Sequence, residues 1–145
     1  MIRQLIRIAH EEGFSVMAHC NGPRTAEAAA KAGVDSIEHG AYLDADALSA
    51  MAERKVIWVP TLSTIGNLRG TGRFNETAVA RILESALKNV AHFASIGGIL
   101  APGSDAGAWS VPHGSLTETE LLRTALGADT ERILHTGIDA VKARF

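Results

Sequence analysis

The chain contains one cysteine, Cys20. A single thiol excludes an internal disulfide framework and fits a reducing compartment, so a cytoplasmic location is the expectation. An excess of either charge is lacking: 14 Lys and Arg face 16 Asp and Glu, for a formal net charge of -2. The basic residues are scattered. They form neither the stripe that nucleic acid requires nor the cluster that anionic lipid requires, so neither partner is expected. No apolar run approaches the ~18 residues of a membrane-spanning helix. The opening segment MIRQLIRIAHEEG carries Arg3 and Arg7 inside its apolar pattern, so it is not expected to act as a signal peptide. What is present is ordinary for a globular protein. The 145 residues are 46% apolar and 21% charged, enough for one domain with a real core, 1–145.

The pattern along the chain is a helix followed by four strand–helix units. Ile2, Leu5, Ile6 and Ala9 fall at helical spacing over Ile2–Glu12, and Gly13 stops the helix. Phe14–Ala18 reads as the first strand. Asn21-Gly22 reads as a turn, and Pro23 suits the first turn of the Ala-rich helix that ends at Gly33. Val34–Glu38 is the second strand. Asp44 caps a helix through Arg54, and Val56–Val59 is the third strand. A Gly-punctuated loop runs from Ser63 to Gly72, followed by a long helix over Asn75–Ser95. Ile99–Ala101 is the fourth strand. Thr117 with Glu120 reads as a capping box for a helix to Leu126, and Asp129 caps the last helix. Short, continuously apolar strands separated by helices predict a parallel α/β sheet covered on both faces.

Ligands and chemistry collect at the carboxyl ends of such strands. His19, His39 and Asp105 all fall there, in corresponding places of successive units. Imidazole nitrogen and carboxylate oxygen suit zinc or a similar divalent ion, which lowers the pKa of bound water to about 7. Each residue also has a plainer explanation. A histidine at a strand end is commonly a hydrogen-bonded structural residue, and an Asp in a Gly-Ser-Asp run commonly forms an Asx turn. Cys20 reads as a small buried hydrophobe, and Glu38 as a group that orients its neighbour. Trp109 is either a lid or a loop anchor. The Gly66–Gly72 loop either closes over substrate or is simply solvated. The turn Gly103–Gly107 could cradle phosphate, though it lacks the lysine and spacing of a P-loop.

The runs AHCNG, DSIEHG, PTLST and GSDAG, with HG a few residues later, resemble the amidohydrolase superfamily in its imidazolonepropionase and Xaa-Pro dipeptidase-like branch. The likeness runs from Phe14 to the last helix. It implies a parallel (β/α)4 half of a TIM-type (β/α)8 barrel, strands five to eight. It further implies that His19 and His39 are metal ligands and that Asp105 is both ligand and general base. Tyr42, Thr61 and His113 then stand in substrate-contacting loops. The implied cofactor is divalent, zinc above all, with one or two ions in the parent family. The first-strand His-x-His pair of that family has no match among the six histidines here, and the fourth-strand lysine would precede Met1.

Three readings of function follow. The first is a metal-dependent hydrolase acting on the C–N bond of an amide, cyclic amide or dipeptide. The second is a catalytically incomplete half barrel with a structural or self-associating role, pairing with another copy or with a missing barrel half across open sheet edges. The third is a phosphate or nucleotide binder using Gly103–Gly107.

Overall fold

The computed structural model describes residues 1–107 and 109–145. Its elements, in chain order, are α1 (Ile2–Glu11), β1 (Met17–Cys20), α2 (Pro23–Ala32), β2 (Ser36–His39), α3 (Ala45–Glu53), β3 (Ile57–Val59), α4 (Ser63–Gly66), α5 (Glu76–Ser95), β4 (Ile99–Leu100), α6 (Thr117–Leu126) and α7 (Thr130–Arg144), with a 3₁₀ turn at Gly127–Asp129. The strands form one parallel sheet in the order β1-β2-β3-β4. Each crossover carries a helix, as parallel pairing requires.

Local chemistry explains most boundaries. Gly33 closes α2 at φ 101°, a conformation that favours glycine. The Asp44 carboxylate accepts the Ala47 amide at the start of α3, and the Asn75 side chain accepts the Ala78 amide at the start of α5. β1 starts three residues later than expected. The Val16 amide donates to the Asp35 carboxylate instead of to a strand, so Phe14 stays outside the sheet and is exposed. The two caps expected near the C-terminus do not form. Thr117 is already inside the helix, and its amide donates to the Ser115 hydroxyl. The Asp129 carboxylate turns outward to Arg132, at 2.8 Å. The Ser63–Gly72 loop is helical in its first turn, as α4.

Pleat parity divides the sheet into two faces. Ala18, Ile37, Trp58 and Leu100 share one row across the four strands, with Cys20 on the same side. Ile37, Trp58 and Leu100 are buried in the core cluster that also takes in residues of α2, α3 and α5. Fully buried Ala26 and Ala30 give α2 the smooth face that lets it lie close against its neighbours. Cys20 is buried, as expected of a small hydrophobe, and burial followed by the Glu38 charge raises its thiol pKa, which makes it unreactive.

The opposite face would be bare in an isolated half barrel, but it is only partly so. The middle of α7, at Gly137, lies against the end of β4, and its last residues reach the feet of the other strands. Arg144 donates to the Asp35 and Lys55 carbonyls, and Ser15 donates to the Arg144 carbonyl. On this face Ser36 and Ile57 are buried, while Met17 on the edge strand is 56% exposed. Among the described residues no helix is long and apolar enough to cross a membrane.

Candidate functional site

The carboxyl ends of β1, β2 and β3 open into a cavity of about 160 Å³ lined by His19, His39, Thr61 and Asp105, with Asn21, Trp58, Ile65 and Ile82 among its walls. Strand register alone would not bring the histidines together. His19 lies opposite Glu38, whereas His39 lies opposite Cys20, whose side chain is buried on the far face. The backbone turns at His39 to φ 70°, and the two rings meet edge to face with centroids 4.4 Å apart. Trp58 holds that turn by donating its indole N–H to the His39 carbonyl at 2.9 Å.

Among the described residues, five non-glycine positions have positive φ: His39, Tyr42, Lys55, Thr61 and Asp105, and His39, Thr61 and Asp105 line this mouth. Four of these are residues that the sequence marked for function. Such a conformation costs on the order of 1–3 kcal/mol each and persists only where surrounding structure enforces it. For Thr61, branched at Cβ and held at φ 47°, the enforcement is visible. Its hydroxyl is 2.7 Å from His39 Nδ1, and its carbonyl accepts both the amide and the hydroxyl of Thr64.

Electrostatics favour a neutral His39. Burial lowers its pKa first, and the neighbouring His19 lowers it further, while Asp105 and Glu38 pull it back up. With Nδ1 engaged by Thr61, the other ring nitrogen, Nε2, is left for a ligand or a proton. Glu38 is occupied on the sheet, accepting from the Ser36 hydroxyl at 2.6 Å.

A pair of touching imidazoles suits two positions around a divalent ion. Among the described residues, however, no three His, Cys, Asp or Glu side chains are grouped closely enough to hold one. His19, His39 and Asp105 thus line one cavity without forming such a group. The reason is local. Asp105 sits at φ 55° on the exposed loop after β4 and acts on His39 through its charge, with no hydrogen bond between them. The donors present do not fit a resident ion by themselves. Tyr42 and His113 also stand apart from the cavity lining. Tyr42 is 61% exposed, and His113 lies against Gly107. Trp109 is an exposed loop residue stacked on Phe74, with the Arg73 guanidinium 4.4 Å from its ring centre.

The sequence reading missed Glu118. It is 4% exposed, and its carboxylate accepts the Ser63 amide at 2.6 Å. The signal was available: Glu118 shares the inward stripe of α6 with Leu122, a carboxylate where an apolar residue belongs. Burial raises its pKa, and bonds from Ser63 and then Leu62 hold it back. A raised folded-state pKa means that its stabilising contribution is complete below the unfolded value and is lost as pH rises through the folded one. The wild-type chain is thus expected to lose stability relative to Glu118→Gln as pH rises through and above the ordinary glutamate range. Urea melts of both proteins across that range check this, and a difference independent of pH refutes it.

No family model matches the chain. An uncharacterized protein of Mycobacterium tuberculosis is 29% identical over 124 residues, 81% of this chain. An uncharacterized protein of Mycobacterium bovis matches to the same extent. The chain spans about a third of the length of these curated relatives, 33%. Among solved structures, a Xaa-Pro dipeptidase with methionine bound in its active site is 25% identical. It superposes with a TM-score of 0.74 over 94% of this chain and 34% of its own. A prolidase in complex with N-methylphosphonate-L-proline gives 0.78 at 24% identity, covering 99% and 37%. The Aspergillus niger ochratoxinase gives 0.73 at 24%, covering 99% and 31%; these two share the fold. With four parallel strands in sequential order and histidines at their carboxyl mouth, the chain has the fold of half an amidohydrolase-type (β/α)8 barrel and fits a fragment of that superfamily.

Proposed function

We propose that this half barrel serves hydrolysis of a C–N bond in an amide, cyclic amide or dipeptide. The supporting observation is the convergence of His19, His39, Thr61 and Asp105 on one cavity. The dipeptidase and amidohydrolase character of the structural neighbours points the same way. Trp58, Ile65 and Ile82 offer apolar walls for a substrate side chain. His39, fixed at Nδ1 by Thr61, presents Nε2 to the polar end of the substrate. Asp105 is the general base: it takes a proton from the attacking water as the C–O bond forms and returns it to nitrogen as the C–N bond breaks. Amidohydrolases ordinarily add a divalent metal, zinc above all, which polarises the carbonyl and acidifies water. His19 and His39 are two donors toward such an ion, whose remaining donors would come from beyond this set.

The test is hydrolysis of Xaa-Pro dipeptides and N-acyl amino acids by the chain with zinc supplied. Slow turnover is expected, falling about 100-fold or more in Asp105→Asn. Turnover that Asp105→Asn leaves intact, or none at all, removes this reading.

A specific observation also favours a partner. Beside the open edge of β1, Ile2, Leu5 and Met17 are 65%, 60% and 56% exposed. Self-association through this edge predicts a concentration-dependent dimer in sedimentation, and a stable monomer at micromolar concentration counts against it. The phosphate reading loses ground in the same geometry. The Gly107 amide donates to the Val111 carbonyl, and a side chain at Gly103 would strike Val59.

A further inference from the structure

We propose that Glu118 is a positioning residue for this mouth, holding the turn after β3 so that Thr61 stays on His39 and Ser63 stays on the loop that carries Asp105. The role in hydrolysis rests on the function proposed above; the positioning itself does not.

The chain of contacts is short. Glu118, on the first turn of α6, accepts the Ser63 amide at 2.6 Å. Ser63 is fully buried and donates its hydroxyl to the Ser104 carbonyl at 2.9 Å, one residue before Asp105. Two residues before Ser63, Thr61 meets His39 Nδ1 at 2.7 Å. One carboxylate therefore ties α6 to the turn after β3, and through Ser63 to the loop after β4. Thr61 and Asp105 are both held in left-handed backbone, which persists only under such restraint.

A filler role does not explain the choice of residue. Leucine or methionine would fill this part of the α6 stripe without desolvating a carboxylate. Glu118 also leaves Oε1 with no hydrogen-bond partner among the described residues, a further cost. What the carboxylate supplies is a strong acceptor aimed at the amide of the Thr61–Ser63 turn.

The test compares Glu118→Ala, Glu118→Gln and Leu134→Ala in the full chain with isotopically labelled histidine. Leu134 is a core residue on α7, and its truncation is a control for general loss of stability. The ring resonances of His39 are read at one fixed pH. Glu118→Ala is expected to shift them, Glu118→Gln to restore them to near their wild-type positions because its amide oxygen still accepts from Ser63, and Leu134→Ala to leave them in place. Where Glu118→Ala does not fold, Glu118→Asp decides, since its shorter reach also releases Ser63. His39 resonances unmoved in the folded Ala or Asp variant overturn the proposal, as does an equal shift in Leu134→Ala. A shift with Gln rescue in a chain that hydrolyses nothing leaves the positioning standing and removes the hydrolase reading alone.

Discussion

Trp58→Ala is expected to cost about 3–5 kcal/mol, the range for deleting a buried aromatic ring. At about 3 °C per kcal/mol for a chain of this size, the melting temperature falls by roughly 10 °C. Trp58 is 1% exposed and packs edge to face on Phe93, with ring centres 5.4 Å apart. It also does something a leucine could not. Its indole N–H donates to the His39 carbonyl, at the residue whose left-handed turn brings its ring to His19. Trp58→Phe separates the two roles. It keeps most of the packing and loses the donor, for about 1 kcal/mol, plus the penalty of a carbonyl left without a partner. Phe is therefore expected to be mild in a urea melt yet to displace His39, whereas Ala does both. If Phe proves as costly as Ala, the hydrogen bond dominates and the packing estimate is wrong.

The fold was legible because its signals are local. Gly33 past an alanine run, Asp44 before a helix and short apolar strands at regular intervals each follow from a single-residue preference. Together they give the helix–strand alternation of a parallel sheet. The meeting of His19 with His39 was less legible. Counting along the strands puts both at carboxyl ends, but pleat parity puts His39 level with Cys20, whose side chain is buried away from the mouth. Only the turn at φ 70° resolves this, and no residue preference announces it, since Gly40 follows and would be the obvious place for such a turn. Gly40 takes a positive φ as well, and a side chain there would come within 2.7 Å of the Trp58 indole nitrogen. The failed caps have a similar origin. Thr117 matches the capping pattern, but Ser115 has already taken its amide, and competition between neighbouring hydroxyls is decided by loop geometry rather than by pattern. Glu118 went unnoticed because a carboxylate on a helix is solvated by default, and its partner Ser63 is 55 residues away.

The course of α7 was the least legible feature, and it carries the second large effect. Gly137 lies in the middle of α7, where alanine is ordinarily the better residue by about 1 kcal/mol. Here the sign reverses. A Cβ at Gly137 would lie 2.5 Å from the Leu100 carbonyl carbon and 2.9 Å from the Ala101 Cα, with the Leu100 oxygen nearer still. All three are backbone atoms of β4 and its exit, so no rotamer change relieves the clash. Either α7 lifts from the sheet or β4 moves. Lifting α7 would also draw Arg144 away from the Asp35 and Lys55 carbonyls at the feet of the other strands. Gly137→Ala is therefore expected to cost at least the ~1–3 kcal/mol of an overpacked core, and more because the obstruction is main chain. It should also uncover the sheet face at Ser36 and Ile57. Denaturant melts give the stability change, and amide exchange at Ser36 and Ile57 shows whether that face opens. A Gly137→Ala chain as stable as wild type, with those amides still protected, means that α7 is not seated against β4 as described. Asn89→Ala, at a half-buried position on α5, is a poor control, because the Asn89 side chain donates to the Leu43 carbonyl. Glu84→Ala, on the same helix as Asn89, is a better one. Among the described residues its side chain bonds only to exposed Lys88, four residues on, so its melt is expected to overlay that of wild type.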